Sequence, residues 1–261
     1  MGLSGQAGCG KVAAHPSGEG EVVSAKAVAV TLVSLAALVE PAFSVLYPVD
    51  ALPDPIVLGG RIAASQYGNR DILRDPEHPE WSAEAPAIFR ARFATSEGDF
   101  VVEVHRDWAP IGADRFFNLV RLGFYDDTRV YRIRAGVFAQ FGLSGDPAIN
   151  AVWYERAIRD DPPGQEHIRG RVFFAMRGPD DRTTQAVINL GDNPDHYDQG
   201  FVPFGEVIEG MDVVDNLYSG YGEEAGGGMR GGNQGRIVRQ GNAHLDADFP
   251  LLDQIIRAVI E

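Results

Sequence analysis

The chain is 261 residues long, enough for one well-buried domain of about 150–200 residues and an additional segment. Its 44% hydrophobic content is ordinary for a globular protein, and its formal net charge of -14 disfavours binding to nucleic acid or to a polyanionic substrate. Cys9 is the only cysteine, so an intrachain disulfide and a thiolate metal cluster are both excluded.

The N-terminal segment, residues 1–45, combines a polar stretch with an apolar one. Residues 1–25 are rich in glycine and serine and show no periodicity, so we expect them to be disordered. Residues 27–39 are apolar and uncharged; they are too few for a stable membrane span but suit the core of a signal or anchor segment. This pattern favours an exported, periplasmic location over a cytoplasmic one. A helix that packs on the domain and an over-extended gene start are the alternatives.

Residues 46–86 have the composition of a linker, with several prolines, many acidic residues and one short helix predicted over residues 63–73. A strongly patterned sequence follows. Residues 88–95 alternate apolar and other side chains, and a turn separates them from the apolar residues 100–104. This pattern predicts a β-hairpin.

Short strands dominate the middle of the chain. A helix is predicted to begin at Pro110 and run over residues 111–122, and a second helix is predicted over residues 211–218. Further strands are predicted at residues 125–133, 137–141, 170–176, 185–190 and 201–207. Many short strands with two helices between them predict a mainly β fold, a closed antiparallel β-barrel capped by two helices, rather than a parallel βαβ sheet.

The end of the chain is predicted to lie outside this barrel domain, which we place at residues 87–225. Residues 226–261 are predicted to hold a glycine-rich loop and a C-terminal helix. The glycine-rich stretch, residues 220–235, is expected to be mobile. Residues 246–260 place apolar side chains at helical spacing, so we expect the helix there.

Several kinds of active site are excluded by the motifs that the sequence lacks. No Gly-x-Ser-x-Gly is present, and no glycine run is followed by Lys-Ser or Lys-Thr, as a phosphate loop would require. The six histidines are scattered, so no metal site and no cofactor are predicted. Asp160 and Asp161 form an acidic pair, but Pro162 and Pro163 indicate an exposed, solvated loop.

Residues 131–142 are the one segment with candidate chemistry. On an extended strand Arg132 and Arg134 point to the same face. The Ala-Gly break after them bends the chain, so Arg132 and Gln140 can converge on one groove. An arginine on a strand is, taken alone, usually an ordinary surface charge.

This segment, YRIRAGVFAQFG, resembles the cyclophilin signature, in which a strand carrying Phe-His-Arg precedes an aromatic residue, a methionine and a Gln-Gly-Gly-Asp turn. Three other segments resemble the same family in the same order: its first helix, its Gly-Pro stretch followed by a glutamine and an apolar run, and its late strand with the final helix. They are residues 109–125, 174–189 and 198–214. The resemblance covers about half of the chain and implies a cyclophilin-like domain at residues 87–225.

The resemblance implies a peptidyl-prolyl cis-trans isomerase that accelerates rotation about Xaa-Pro bonds and assists protein folding. Its partners would be proline-containing peptides or unfolded protein clients. By the same resemblance Arg132 is the catalytic donor and Gln140 positions the peptide backbone. The implied substrate-binding residues are Val137, Phe138, Met176, Gln185, Val187, Tyr197 and Phe201.

The pocket departs from the family pattern, and this leaves a second hypothesis open. Val137 and Val187 stand where the family has phenylalanines, and Phe138 stands in place of its methionine. Losing half of one ring's contact would cost about 1–2 kcal/mol of proline binding, a ten- to thirtyfold effect on rate. Phe138 and Phe201 could refill the space. The alternative function is therefore a catalytically weak, cyclophilin-like peptide- or protein-binding module.

Overall fold

The computed structural model describes residues 70–228 and 234–261. The predictions for the N-terminus, its signal or anchor segment and most of the linker lie outside the described residues. The described part begins with a short helix, α1 (Arg70–Arg74), at the end of the predicted helix 63–73. A single 3-10 turn follows at Pro79–Ser82. No helix in the described ranges is long and apolar enough to cross a membrane.

The described residues form one sheet of nine strands, with antiparallel pairing throughout. The strands are β1 (Ile88–Thr95), β2 (Gly98–His105), β3 (Thr128–Arg129), β4 (Arg132–Arg134), β5 (Phe138–Phe141), β6 (Arg171–Phe174), β7 (Ala186–Asn189), β8 (Pro203–Glu209) and β9 (Gln254–Ile260). The remaining helices are α2 (Pro110–Arg121), α3 (Pro147–Trp153), α4 (Asp195–Asp198), α5 (Met211–Asn216), α6 (Gly235–Gln240) and α7 (Asn242–Asp248). Strand order is β3-β9-β1-β2-β8-β6-β7-β5-β4, a mainly antiparallel half-barrel with a few helices.

The predicted hairpin is confirmed as β1 and β2. Burial alternates along β1, so that every second side chain enters the core. There Phe93 stacks on Phe100 of β2, with 4.9 Å between ring centroids. In the turn the Thr95 hydroxyl donates to the carbonyl oxygen of Gly98 at 2.7 Å. Gly98 has a φ of 130°, a conformation that a β-carbon would strain.

The helix predicted over residues 111–122 is confirmed as α2, which packs its apolar face on the sheet. The Phe116 ring lies 4.7 Å from that of Phe204 on β8 and 6.0 Å from that of Phe93 on β1. The second predicted helix is confirmed as α5. The predicted strand 125–133 is interrupted and becomes β3 and β4, and the four later strands are confirmed with shifted bounds.

The prediction of a solvated loop at Asp161 is wrong. Its side chain has no exposed surface, and its two carboxylate oxygens accept the backbone N–H groups of Ile111 and Gly112, each at 2.9 Å. The same carboxylate pairs with Arg182, which is also fully buried, at 3.0 Å. The free N–H groups at the start of a helix and a guanidinium together compensate a buried carboxylate. The two prolines gave no indication of these partners.

The predicted C-terminal helix over residues 246–260 is also wrong. Helix α7 ends at Asp248, two residues before Pro250, and the chain then forms β9. This strand pairs with β1 and with β3. Its sequence QIIRAVI is rich in β-branched residues, which favour strands, and Ile255 and Ala258 are buried in the main core. Ile255 and Ala258 are three positions apart, a spacing that puts two residues on one face of a helix. The same two residues share one face of β9 because its pairing with β1 contains a register shift.

Candidate active site

Strands β4 and β5 bring Arg132 and Gln140 together. The two residues are direct partners in the antiparallel register, on either side of the turn at Gly136. Cross-strand partners have side chains on the same face, and here Arg132 Nη1 donates to Gln140 Oε1 at 2.8 Å. The other terminal nitrogen, Nη2, pairs with the carboxylate of Glu223. The eight-residue spacing noted in the sequence thus corresponds to one hydrogen-bonded pair.

Gln140 is held from its other end by a chain of side-chain hydrogen bonds. Its Nε2 donates to Oε1 of Gln185 at 2.8 Å, and the Tyr131 hydroxyl donates to that same oxygen at 2.8 Å. Burial raises the pKa of Tyr131, so its hydroxyl remains a donor at neutral pH. These contacts determine the direction of the Gln140 amide, because its oxygen must face the guanidinium and its nitrogen must face Gln185.

An apolar cluster lies beside the guanidinium. Its buried members are Phe138, Phe173 and Val187, and Val137, Ala175 and Phe201 pack against them. The Arg132 Cζ atom lies 4.7 Å from the centroid of the Phe138 ring, within the range of a cation–π contact. A charged donor and an apolar surface are therefore adjacent.

Phe173 is the buried cluster member that sequence reasoning missed. Consecutive residues of a strand face opposite sides, and Phe174 enters the main core, so Phe173 must face away from that core. Its ring lies 5.2 Å from that of Phe201. The pair of adjacent phenylalanines on β6 was the signal that could have revealed it.

Two of the residues implied by the resemblance lie at the rim rather than in the cluster. Met176 lies beside Gly200, the residue before Phe201: a β-carbon on that glycine would be 3.4 Å from the Met176 methyl group. Tyr197 is 46% exposed and lines a neighbouring open cleft of about 660 Å³. That cleft also includes His167.

Two histidines border the apolar cluster, and both are neutral at physiological pH. Burial lowers the pKa of His196 to about 4, with His167 nearby as the second cause. Burial also lowers the pKa of His167, whose Nε2 lies 2.9 Å from the carbonyl oxygen of Phe201. The His196 ring is 5.4 Å from that of Phe173 and 5.5 Å from that of Phe201. A neutral imidazole in this position extends the apolar wall.

The described ranges contain no group of three or more histidine, cysteine, aspartate or glutamate side chains that could hold a metal ion. The arrangement offers instead a fixed cation, a fixed amide and an apolar surface. Such a site can bind a peptide and polarise one of its atoms.

Known proteins share sequence similarity with this chain. The family described as cyclophilin type peptidyl-prolyl cis-trans isomerase/CLD matches residues 90–239. Peptidyl-prolyl cis-trans isomerase B of Escherichia coli is 31% identical over 176 residues, which cover 64% of this chain and 96% of that protein. A peptidyl-prolyl cis-trans isomerase of Acinetobacter baylyi is 30% identical over 141 residues, covering 52% of this chain and 75% of the relative.

Among solved structures, a cyclophilin type peptidyl-prolyl cis-trans isomerase of Cryptosporidium parvum superposes with a TM-score of 0.48 and 20% identity. The superposition covers 67% of this chain and 98% of that one. On the sequence comparisons, the chain belongs to the cyclophilin-type peptidyl-prolyl cis-trans isomerases. The family resemblance noted in the sequence is confirmed.

Proposed function

We propose that this chain catalyses cis/trans isomerisation of Xaa-Pro peptide bonds in exposed proline segments of unfolded proteins, with Arg132 as the catalytic residue. One observation carries the proposal: the Arg132 guanidinium lies over the Phe138 ring at 4.7 Å and is tied to Gln140 by a 2.8 Å hydrogen bond. This places a charged donor next to an apolar surface, the pair of features that assisted rotation of a prolyl amide requires.

Amide rotation needs neither a nucleophile nor a metal. The barrier of ~18–20 kcal/mol reflects the partial double bond between carbon and nitrogen. As the amide twists, the nitrogen regains its lone pair and can accept a hydrogen bond from the guanidinium. A donor that is already oriented, in a site partly shielded from water, stabilises the twisted amide more than water does. Catalysis then results from tighter binding of the twisted amide than of the planar one.

We assign the proline ring to the apolar cluster. Phe138, Phe173 and Val187 would supply buried surface, and Phe201 would close one side. The second N–H of Gln140 Nε2 would hold a peptide carbonyl, since the first is committed to Gln185. Contacts with residues flanking the proline are assigned to Val137, Met176, Gln185 and Tyr197.

We also propose that the sheet closes into a barrel capped by α2 and α5. Only Val130 and Tyr131 separate the two edge strands, β3 and β4, along the chain. The two edges of the sheet must therefore lie close together. Closure would leave no long unpaired edge that could recruit another strand.

The test is a prolyl-isomerisation assay on short Xaa-Pro peptides with the full chain. We expect the wild type to accelerate exchange and Arg132→Ala to lower kcat/KM tenfold or more, which corresponds to about 1.4 kcal/mol of transition-state stabilisation. Arg134→Ala is the matched control, because it removes the same charge from an exposed position on the same strand. It should leave the rate unchanged.

Three outcomes are informative. A loss specific to Arg132 would support the proposal. An equal loss in both variants would indicate a general charge effect instead. No acceleration by a folded wild type would reject catalysis on these peptides and favour the binding module.

A further inference from the structure

We propose that Glu223 is a positioning residue that fixes the Arg132 guanidinium over the apolar cluster. The inference rests on the proposed function for its catalytic consequence. Gln140 and Glu223 hold the two terminal nitrogens of Arg132 from different directions: Nη1 donates to the amide at 2.8 Å and Nη2 pairs with the carboxylate. The planar guanidinium therefore cannot turn about its own axis without losing one of these contacts.

The segment that carries Glu223 is attached to strand β4. The backbone N–H of Ile133 donates to the carbonyl oxygen of Gly222 at 2.9 Å, so this segment lies along the edge next to Arg132. Ala225 is 2% exposed and packs in a second apolar cluster that includes Tyr131. These contacts hold the carboxylate at a defined place.

The glycine content of this segment has a specific reason at Gly226. A β-carbon at this position would lie 2.6 Å from Cβ of Arg132 and 3.0 Å from its Cγ and Cδ. Any other residue would force the segment or the arginine stem to move. Glycine at position 226 therefore allows the segment to pack closely against the side chain of Arg132, the arginine that is proposed to act in catalysis.

The pair is shielded enough to restrict motion. The side chains of Arg132 and Glu223 are 13% and 22% exposed. A charge-assisted hydrogen bond between partly buried groups holds its geometry better than an exposed surface pair. A catalytic donor contributes most when no reorientation is needed at the moment of reaction.

The experiment combines kinetics with a direct observation of the guanidinium. Glu223→Ala should lower kcat about tenfold with little change in KM, because the lost orientation matters only in the transition state. Glu223→Gln should recover part of the rate, since its amide oxygen can still accept from Nη2. Glu224→Ala is the matched control: it removes the same charge from the next position, whose side chain is exposed.

Nitrogen-detected NMR of arginine side chains reports orientation without any need for activity. Rotation about the Nε–Cζ bond of Arg132 should be at least tenfold slower than that of exposed Arg134 in the wild type. It should accelerate in Glu223→Ala and remain slow in Glu224→Ala. The Arg132→Lys variant identifies the signal.

The two proposals fail in different ways. Fast rotation of Arg132 in the wild type, or no change in Glu223→Ala, would overturn the positioning role. A rise in kcat in either Glu223 variant would also overturn it, because the carboxylate would then hold the guanidinium in an orientation that hinders catalysis. A wild type that does not accelerate isomerisation, but whose Arg132 is slow and is released by Glu223→Ala, would reject the isomerase proposal and retain the positioning of the guanidinium.

Discussion

The buried ion pair between Asp161 and Arg182 allows a sharp test of the forces that hold this fold together. Neither side chain has exposed surface, and they meet at 3.0 Å. The Asp161 carboxylate also accepts hydrogen bonds from the backbone N–H groups of Ile111 and Gly112 at the start of α2. The Nε atom of Arg182 lies 3.1 Å from a carboxylate oxygen of Asp160. Replacing one partner therefore leaves the other charged and poorly compensated in the interior.

The magnitude follows from this geometry. Breaking a buried pair by removing one partner costs about 3–5 kcal/mol, so Asp161→Ala should lower the free energy of unfolding by that amount. For a domain of this size the melting temperature should fall by roughly 6–20 °C. The measurement is urea unfolding of the full chain followed by tryptophan fluorescence, with a thermal melt beside it.

The matched control is a second aspartate–arginine pair in the same part of the chain. Asp181 pairs with Arg177 at 2.8 Å, but their side chains are 25% and 60% exposed. An exposed pair contributes about 0–1 kcal/mol, so Asp181→Ala should have little effect. Equal losses in Asp161→Ala and Asp181→Ala would refute the reasoning, because burial would then not decide the cost. A double-mutant cycle of Asp161→Asn with Arg182→Met should give a coupling energy above about 1 kcal/mol.

Two further predictions concern pH and packing. Burial raises the pKa of Asp126 from 3.8 to about 6. The folded state is therefore more stable at low pH, where this carboxyl is neutral, and it loses that stability as pH rises through 6 and the carboxyl ionises. Urea titrations should therefore show Asp126→Asn as more stable than the wild type at about pH 8 and equal to it below about pH 4. Val187 is 5% exposed and packs with Phe138 and Phe173, so Val187→Phe should lower the free energy of unfolding by about 1–3 kcal/mol through overpacking. Adding Phe173→Ala should recover part of that loss, and full tolerance of Val187→Phe alone would show that the cluster has free space.

Sequence patterns predicted the elements whose formation is determined by residues close together along the chain. The β1–β2 hairpin has alternating side chains and a glycine at its turn, and α2 has an apolar face and an initial proline. Both features act within a few residues of the element that they define. Strand β9 could not be recognised in this way, because it is specified by its partners β1 and β3, which come more than a hundred residues earlier.

The residues of the candidate site were likewise easiest to predict where they lie close together in the sequence. Arg132 and Gln140 lie on one hairpin, so their spacing along the chain indicated that they could meet. Phe173 and His196 reach the apolar cluster from other elements, and apart from the two adjacent phenylalanines of β6 nothing near them in the sequence indicates that destination. The valine at position 187 suggested a missing ring, whereas a ring is supplied from the neighbouring strand β6. Substitutions in a packed pocket have to be judged together, because one side chain can occupy the space that another has vacated.

Glu223 illustrates why charge is the hardest property of the site to predict. In the sequence it is one acidic residue in a glycine-rich stretch that predicts mobility, and it follows Arg132 by 91 residues. Its role depends on two contacts. Gly226 has no β-carbon and therefore lets the segment approach Arg132 closely, and the backbone N–H of Ile133 donates a hydrogen bond to the same segment. Neither contact leaves a pattern in composition or periodicity. A glycine-rich composition is compatible both with a free loop and with a segment that must approach a side chain closely. Only the contact itself distinguishes the two, and here that contact falls on the guanidinium proposed to stabilise the twisted amide.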